Sequence, residues 1–284
     1  MKFNSLDEAQ GVFFERELEF VKAQTYDIKR PNNSYSRAFP IDTSAGAGAD
    51  TISYQQYDSV GVMKLISSSA DDLPRSDIKG KEFLVKVKTI GGSYGYNYDE
   101  VLAGMMASNF SGSGPKKSAG FIDTKRALAS RRSYDNKMNE IAWFANPNEA
   151  KWQGLVGFLY FPNIPITTAS TKVGGGTVWS GATGEEILAD MTSAINAVTT
   201  ITNGVEVVDT IGLPPAQYAL LRSKMMTQLN TTVKKHFQET YPDIKIESFP
   251  ELKAVTPLPS TGVGSGDMMV AYTRSPDHIQ LNVP

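Results

Sequence analysis

The stretch TISYQQYDSVGVMKLISSSADDLPRSDIKGKEFLVKVKTI, residues 51–90, places two β-prone segments around a polar middle. Thr51 to Val60 alternates, with Ile52, Tyr54 and Tyr57 spaced partly as a strand, and Val62 to Ile66 continues it. Phe83 to Ile90 resumes as a strand with Lys86 and Lys88 on one face. The pattern predicts a long two-stranded excursion. Its middle carries Asp71, Asp72, Arg75, Asp77, Lys79, Lys81 and Glu82, a density of both charge signs that cannot sit in a core. The tip is therefore expected to be solvated, or matched against charges on another molecule.

On the N-terminal side, residues 5–24 read as an amphipathic helix with a narrow apolar stripe of Phe14, Leu18 and Val21. From Thr25 to Asp50 the pattern stops, and Pro31-Asn32-Asn33 and Ala45-Gly46-Ala47-Gly48 suggest an extended arm without its own core. On the C-terminal side, the alternating Tyr94, Tyr96 and Tyr98 predict the end of a strand, followed by a short helix over Asp99–Met106 and a glycine-serine loop over Ser108–Ser118. Leu128, Tyr134, Met138, Ile141 and Ala145 then recur near helical spacing, predicting a rod from about Thr124 to Phe144 that Asn146-Pro147 closes. Beyond residue 151 the signals are those of a compact α/β unit. Thr183 with Glu186 predicts a capping box for a helix over Gly184–Ile201, with Ile187, Met191, Ala194, Ile195 and Val198 on its buried face. Asn203-Gly204 ends that helix; Val205–Leu213 reads as a buried strand; Pro214-Pro215 opens the next helix. A short helix over 232–240 and strands over Ile244–Phe249 and Met268–Tyr272 complete the pattern.

Composition restricts the chemistry. The 284 residues hold no Cys and only two His, His236 and His278, which disfavours thiolate sites, disulfides and a multi-histidine metal centre without fixing the compartment. A formal net charge of −2 is too balanced for a chain devoted to gripping phosphates. The longest apolar run, Gly154–Pro162, falls short of the roughly 20 residues a spanning helix needs, so a soluble chain with no membrane partner is expected. MKFNSLDEAQ lacks the pattern of an export or targeting signal.

No motif assigns a catalytic, cofactor or metal site. GSGPKKS, residues 112–118, lacks the spacing of a phosphate-binding loop, and no strand is followed by the dinucleotide-binding glycine pattern. His236 follows two lysines on a polar helix and His278 sits in a turn, so solvated or capping roles are expected for both. The one charge asymmetry is residues 116–137, with a local charge of +5. It reads either as a solvated helix face pairing with nearby acids or as a surface for a polyanion or an acidic neighbouring subunit.

Several strings together resemble the major capsid proteins of tailed bacteriophages with the Hong Kong 97 coat-protein fold: FFERELEFVKAQTYD (13–27), YDSVGVMKLISSSADDLPRSDIKGKEF (57–83), SYGYNYDE (93–100), NKMNEIAWFAN (136–146), GLVGFLYFPNIP (154–165) and TNGVEVVDTIGLPPAQYALL (202–221). The resemblance implies an α+β fold with an N-terminal arm (1–50), an extended β-hairpin loop with flanking strands (51–90), a peripheral domain with a long spine helix (91–150), an axial domain (151–275), and the start of a return to the peripheral domain (276–284). The family usually carries a further C-terminal returning segment, whereas this sequence stops soon after MVAYTRSPDHIQLNVP.

In function, the resemblance implies a non-enzymatic subunit without cofactors. It self-assembles through pentamers and hexamers into an icosahedral virion shell around double-stranded DNA, is built in the host cytoplasm, and has scaffold, portal and decoration proteins as further partners. The expected inter-subunit contacts are Asp71, Asp72, Arg75, Asp77, Lys79 and Lys81 at the hairpin tip, with Arg131 or Arg132 of the adjacent copy as counterparts. Two alternatives stay open: an encapsulin-like compartment shell, and a soluble hydrolase or carbohydrate-binding domain.

Overall fold

In the computed structural model, the described residues are 28–46, 48–65, 75–102, 119–162, 164–227, 229–256 and 265–284. The expected N-terminal helix, the glycine-serine loop and the hairpin tip with Asp71 and Asp72 lie outside them. Residues 33–284 form one compact unit, built on two apolar clusters.

The first cluster is organised by helix α3, Gly184–Ile201, which packs Ile187, Met191 and Ile195 against strand β4, Thr210–Leu213. The capping box is present: Thr183 Oγ1 accepts from the Glu186 amide at 3.3 Å, and Glu186 Oε2 accepts from the Thr183 amide at 2.7 Å. Each bond satisfies a donor that the first turn cannot pair internally. At the other end Asn203 and Gly204 take positive φ, and the Gly204 amide reaches back to Thr199 O. Strand β4 is shorter than the buried strand expected over Val205–Leu213, since Val205 and Val207 are exposed, outside the ladder. It lies at the centre of a three-stranded sheet, parallel to β5, Lys245–Ser248, and antiparallel to β6, Val270–Tyr272. Helices α4, Pro215–Ser223, and α5, Val233–Thr240, make the crossover from β4 to β5 and contribute Leu221, Val233 and Phe237 to the core. Gly212 is required in β4, since a Cβ there would stand 2.7 Å from the Phe249 ring and 2.8 Å from Val270.

The second cluster surrounds Trp143 near the end of helix α2, Ala119–Phe144. At 26 residues α2 is longer than the sequence pattern suggests, about 39 Å at 1.5 Å per residue. Its last turns are buried through Met138, Ala142 and Trp143, while Leu128 and Tyr134, expected on a packed stripe, are exposed. Short helix α1, Tyr35–Ala38, docks onto this end. Trp143 Nε1 donates to Ser34 Oγ at 3.1 Å, and Asn139 Oδ1 accepts from the amides of Ser34 and Tyr35, so a side chain of α2 supplies the N-terminal acceptor that α1 lacks. Gly157 lies directly against α2, with its amide bonded to Ala145 O at 2.7 Å. The chain end closes the cluster: β7, Leu281–Asn282, pairs in parallel with β1, Ile41–Asp42, while the Tyr272 hydroxyl donates to Ala38 O.

Tyr94, Tyr96 and Tyr98 do not finish a strand. Residues 91–97 are irregular, residues 98–102 helical, and the segment is held by Arg126, which donates to Gly95 O at 2.8 Å and stacks over Tyr96.

Candidate interaction surface

Strands β2, Thr51–Val60, and β3, Asp77–Lys86, form an antiparallel hairpin over ten residue pairs from Thr51↔Lys86 to Val60↔Asp77. The two-residue period divides it into two faces. One face runs from Ile52, Val85, Tyr54 and Phe83 at the base to Gln56, Lys81, Asp58, Lys79, Val60 and Asp77 toward the tip. Asp77, Lys79 and Lys81 of the sequence-derived contact set thus share one face, with Asp58 opposite Lys79 as a carboxylate the sequence reading omitted. Apart from half-buried Ile52 and Phe83, every residue of the two strands is exposed, Leu84 to 69%.

Local contacts stiffen the hairpin. Tyr54 and Phe83 stack with centroids 5.0 Å apart, Lys81 Nζ lies 4.6 Å from the Phe83 centroid, and Tyr57 covers Gly80, where a Cβ would stand 3.2 Å from its ring. Asp77 Oδ1 accepts from the Ile78 amide. Arg75 precedes β3 and is exposed.

Within the basic segment the side chains divide. Arg126 bonds Glu100 at 2.8 Å, and that bond, followed by one from the Asn97 amide, holds the Glu100 carboxyl below its ordinary range. Lys137 pairs with Glu140 at 2.9 Å and covers the Trp152 ring. Arg131 and Arg132 are exposed on α2 and form no ion pair among the described residues. Among the described residues neither is brought onto a hairpin charge.

Between the hairpin base, α2 and α3 opens a cleft of about 2420 Å³ lined by Tyr54, Phe83, Tyr134, Leu155 and Ile201. This exceeds the roughly 300–1,000 Å³ of a small-molecule site. Among the described residues no cluster of three metal-ligating side chains occurs and no helix is long and apolar enough to cross a membrane. A Gly-x-Ser-x-Gly spacing at Gly91–Gly95 escaped the sequence reading; Ser93 there is exposed and bonds to neither histidine nor carboxylate among the described residues. His278, expected in a solvated or capping role, is exposed and places Nε2 2.7 Å from Glu206 Oε2.

One buried polar site was also missed. Lys172, 3% exposed, forms an ion pair with Asp190, 8% exposed, on the inner side of α3. Asp190 also accepts from Ser170 Oγ at 2.9 Å and from Trp179 Nε1 at 2.7 Å. Burial pushes its carboxyl up, but the bonds from Lys172, Trp179 and Ser170 outweigh that and hold it below the ordinary value. The legible signal was Asp190 itself, an acid at the helical spacing of Ile187, Met191 and Ala194.

The fold is similar to that of a chain in the solved structure "The capsid of Myoviridae Phage XM1", with a TM-score of 0.75 and 14% identity over 96% of this chain and 86% of that one. No curated protein matches the sequence. The family model described as "Major capsid protein" matches residues 61–284. An exposed, self-stiffened hairpin accords with a structural role in a shell, and the chain belongs to the major capsid protein family.

Proposed function

We propose that this capsid subunit has the Hong Kong 97-type fold and assembles through hexamers and pentamers into an icosahedral shell enclosing double-stranded DNA. In this reading residues 1–50 are the arm, 51–90 the extended loop, 91–150 the peripheral domain, 151–275 the axial domain and 276–284 the return. Assembly takes place in the host cytoplasm, with scaffold, portal and decoration proteins as partners.

The carrying observation is the hairpin, whose faces are exposed along nearly their whole length although its base adjoins a packed body. An isolated two-stranded ribbon is marginal in water, so a persistent one needs a cover. A neighbouring copy supplies it: Asp58 and Asp77, with Asp71 and Asp72, meet Arg131 and Arg132, while Arg75, Lys79 and Lys81 meet carboxylates. Each exposed pair contributes only ~0.2–1 kcal/mol, but closed symmetry repeats it in every copy. A net charge of −2 suits a container that must release its DNA.

Charge reversal tests this. Arg75→Glu combined with Lys79→Glu should leave the subunit folded and reduce the yield of closed particles by electron microscopy, most clearly at low salt. Particles that form and resist salt like the parent would refute the hairpin pairing. Nuclease-protected DNA inside parent particles supports the virion reading, and protein cargo alone would replace it with a compartment shell.

A further inference from the structure

Asp190 holds both ends of one loop. Lys172, immediately before the loop Val173–Val178, and Trp179, immediately after it, both bond to Asp190 Oδ2, with Ser170 on Oδ1. Lys172 Nζ also donates to Ser170 Oγ at 3.1 Å, so the site is closed on itself. Three further bonds fix the path: the Lys172 amide to Gly176 O at 2.9 Å, the Gly175 amide to Lys172 O at 2.8 Å, and the Val173 amide to Glu186 Oε1 at 2.6 Å. Gly175 and Gly176 take φ of 81° and 76°, which side-chain-bearing residues rarely adopt.

A sequence as free as VGGGTV is thereby locked at the base, and what it displays is apolar. Val173 is 91% exposed and Val178 64% exposed, and the six residues carry no charge. That matters in a symmetric assembly. Around a rotation axis each copy presents the same segment to the same place, so any charge there is repeated at close range and repels. The hairpin, which carries both signs, suits contact with a different surface of the neighbour. The neutral, preorganised loop suits contact with itself, because little ordering entropy remains to be lost on contact.

We propose that the Lys172–Asp190 pair is a positioning device that fixes the Val173–Val178 loop in the shape in which it packs against the same loop of neighbouring copies around a rotation axis of the shell. The proposal rests on the shell-subunit reading and adds a specific self-contact to it.

The test uses the full chain. Val173→Asp and Val178→Asp each place one negative charge per copy on the loop; both sites are exposed, so subunit unfolding should match the parent while closed-particle yield falls about tenfold or more. Lys172→Met/Asp190→Leu fills the buried site with apolar side chains; its unfolding should stay near the parent's, while hydrogen exchange at the Val173 and Gly175 amides accelerates and particle yield falls. Because the chain has no cysteine, Val173→Cys offers a single thiol, and a short bismaleimide should link copies to one another in assembled particles.

Val173→Asp particles at parental yield overturn the proposal, as do Val173→Cys particles whose subunits stay unlinked or link only to a different virion protein. A double variant with unchanged loop exchange and yield overturns the positioning role. A parent chain that never forms particles overturns the shell reading itself, a result distinct from a parent and a Val173→Asp variant that both assemble.

Discussion

Asp190→Ala should damage the cluster packed on α3 as much as truncating one of its large apolar side chains. It removes the carboxylate that receives Lys172, Trp179 and Ser170, and it leaves a Lys172 ammonium that is only 3% exposed with Ser170 Oγ as its remaining acceptor. Breaking a buried pair from one side costs about 3–5 kcal/mol, chiefly through the uncompensated charge left behind. At ~2–4 °C per kcal/mol for a chain of this size, the melting temperature should fall by on the order of 10 °C. Unassembled subunit, followed by tryptophan fluorescence and calorimetry at pH 7, gives the measurement; Trp179 reports locally because its indole bonds the lost group. Lys172→Met/Asp190→Leu should recover most of the loss, since apolar replacement of a buried pair is often neutral. Acid adds a second signature. The folded state holds the Asp190 carboxyl below its ordinary value, so the stabilisation is complete above the unfolded-chain pKa of ~3.9 and fades as the pH falls through the folded value. The parent should therefore lose its advantage over Asp190→Ala toward low pH. A loss below ~1 kcal/mol at pH 7, or a gap that persists unchanged into acid, would refute the reasoning.

Gly157→Ala should destabilise the Trp143 cluster by ~1–3 kcal/mol in chemical denaturation, because its Cβ would stand 2.5 Å from the Ala145 amide nitrogen and 2.7 Å from Ile141 O, both backbone atoms of the α2 end. Thr183→Ala should cost ~1 kcal/mol by removing the side-chain acceptor of the capping box, and Thr183→Ser should restore most of it.

The elements legible in the sequence are those whose signal is local. Thr183 and Glu186 mark the start of α3 because capping is settled within four residues, and Pro215 opens α4 for the same reason. The alternation around Tyr54 and Phe83 marks the hairpin, whose pairing needs only the two strands themselves. Signals failed where a distant partner decides. Tyr94, Tyr96 and Tyr98 alternate like a strand, but no ladder receives them, and Arg126 pins the backbone from 31 residues away. Val205 and Val207 extend the apolar run of β4 past the point where β5 and β6 end. Lys172 gave no indication of burial, since its partner lies 18 residues on and only the fold brings the two together.

The overestimates share a direction. Leu128 and Tyr134 on α2 are placed on a packed stripe by their spacing yet are 55% and 41% exposed, and on the hairpin Tyr57, Ile78 and Leu84 are exposed as well. Scattered exposed apolar side chains are ordinary on any protein. Six of them, Tyr54, Tyr57, Val60, Ile78, Leu84 and Val85, lie on the hairpin strands, whereas the clusters around Trp143 and on α3 are closed by Ile187, Leu213, Phe237 and Phe249 at no measurable exposure or close to it. The same chain therefore packs densely in its two clusters and leaves apolar side chains uncovered on its hairpin. In the proposed shell the hairpin's apolar side chains find their cover on a neighbouring copy, which is why the contacts of one chain do not account for them.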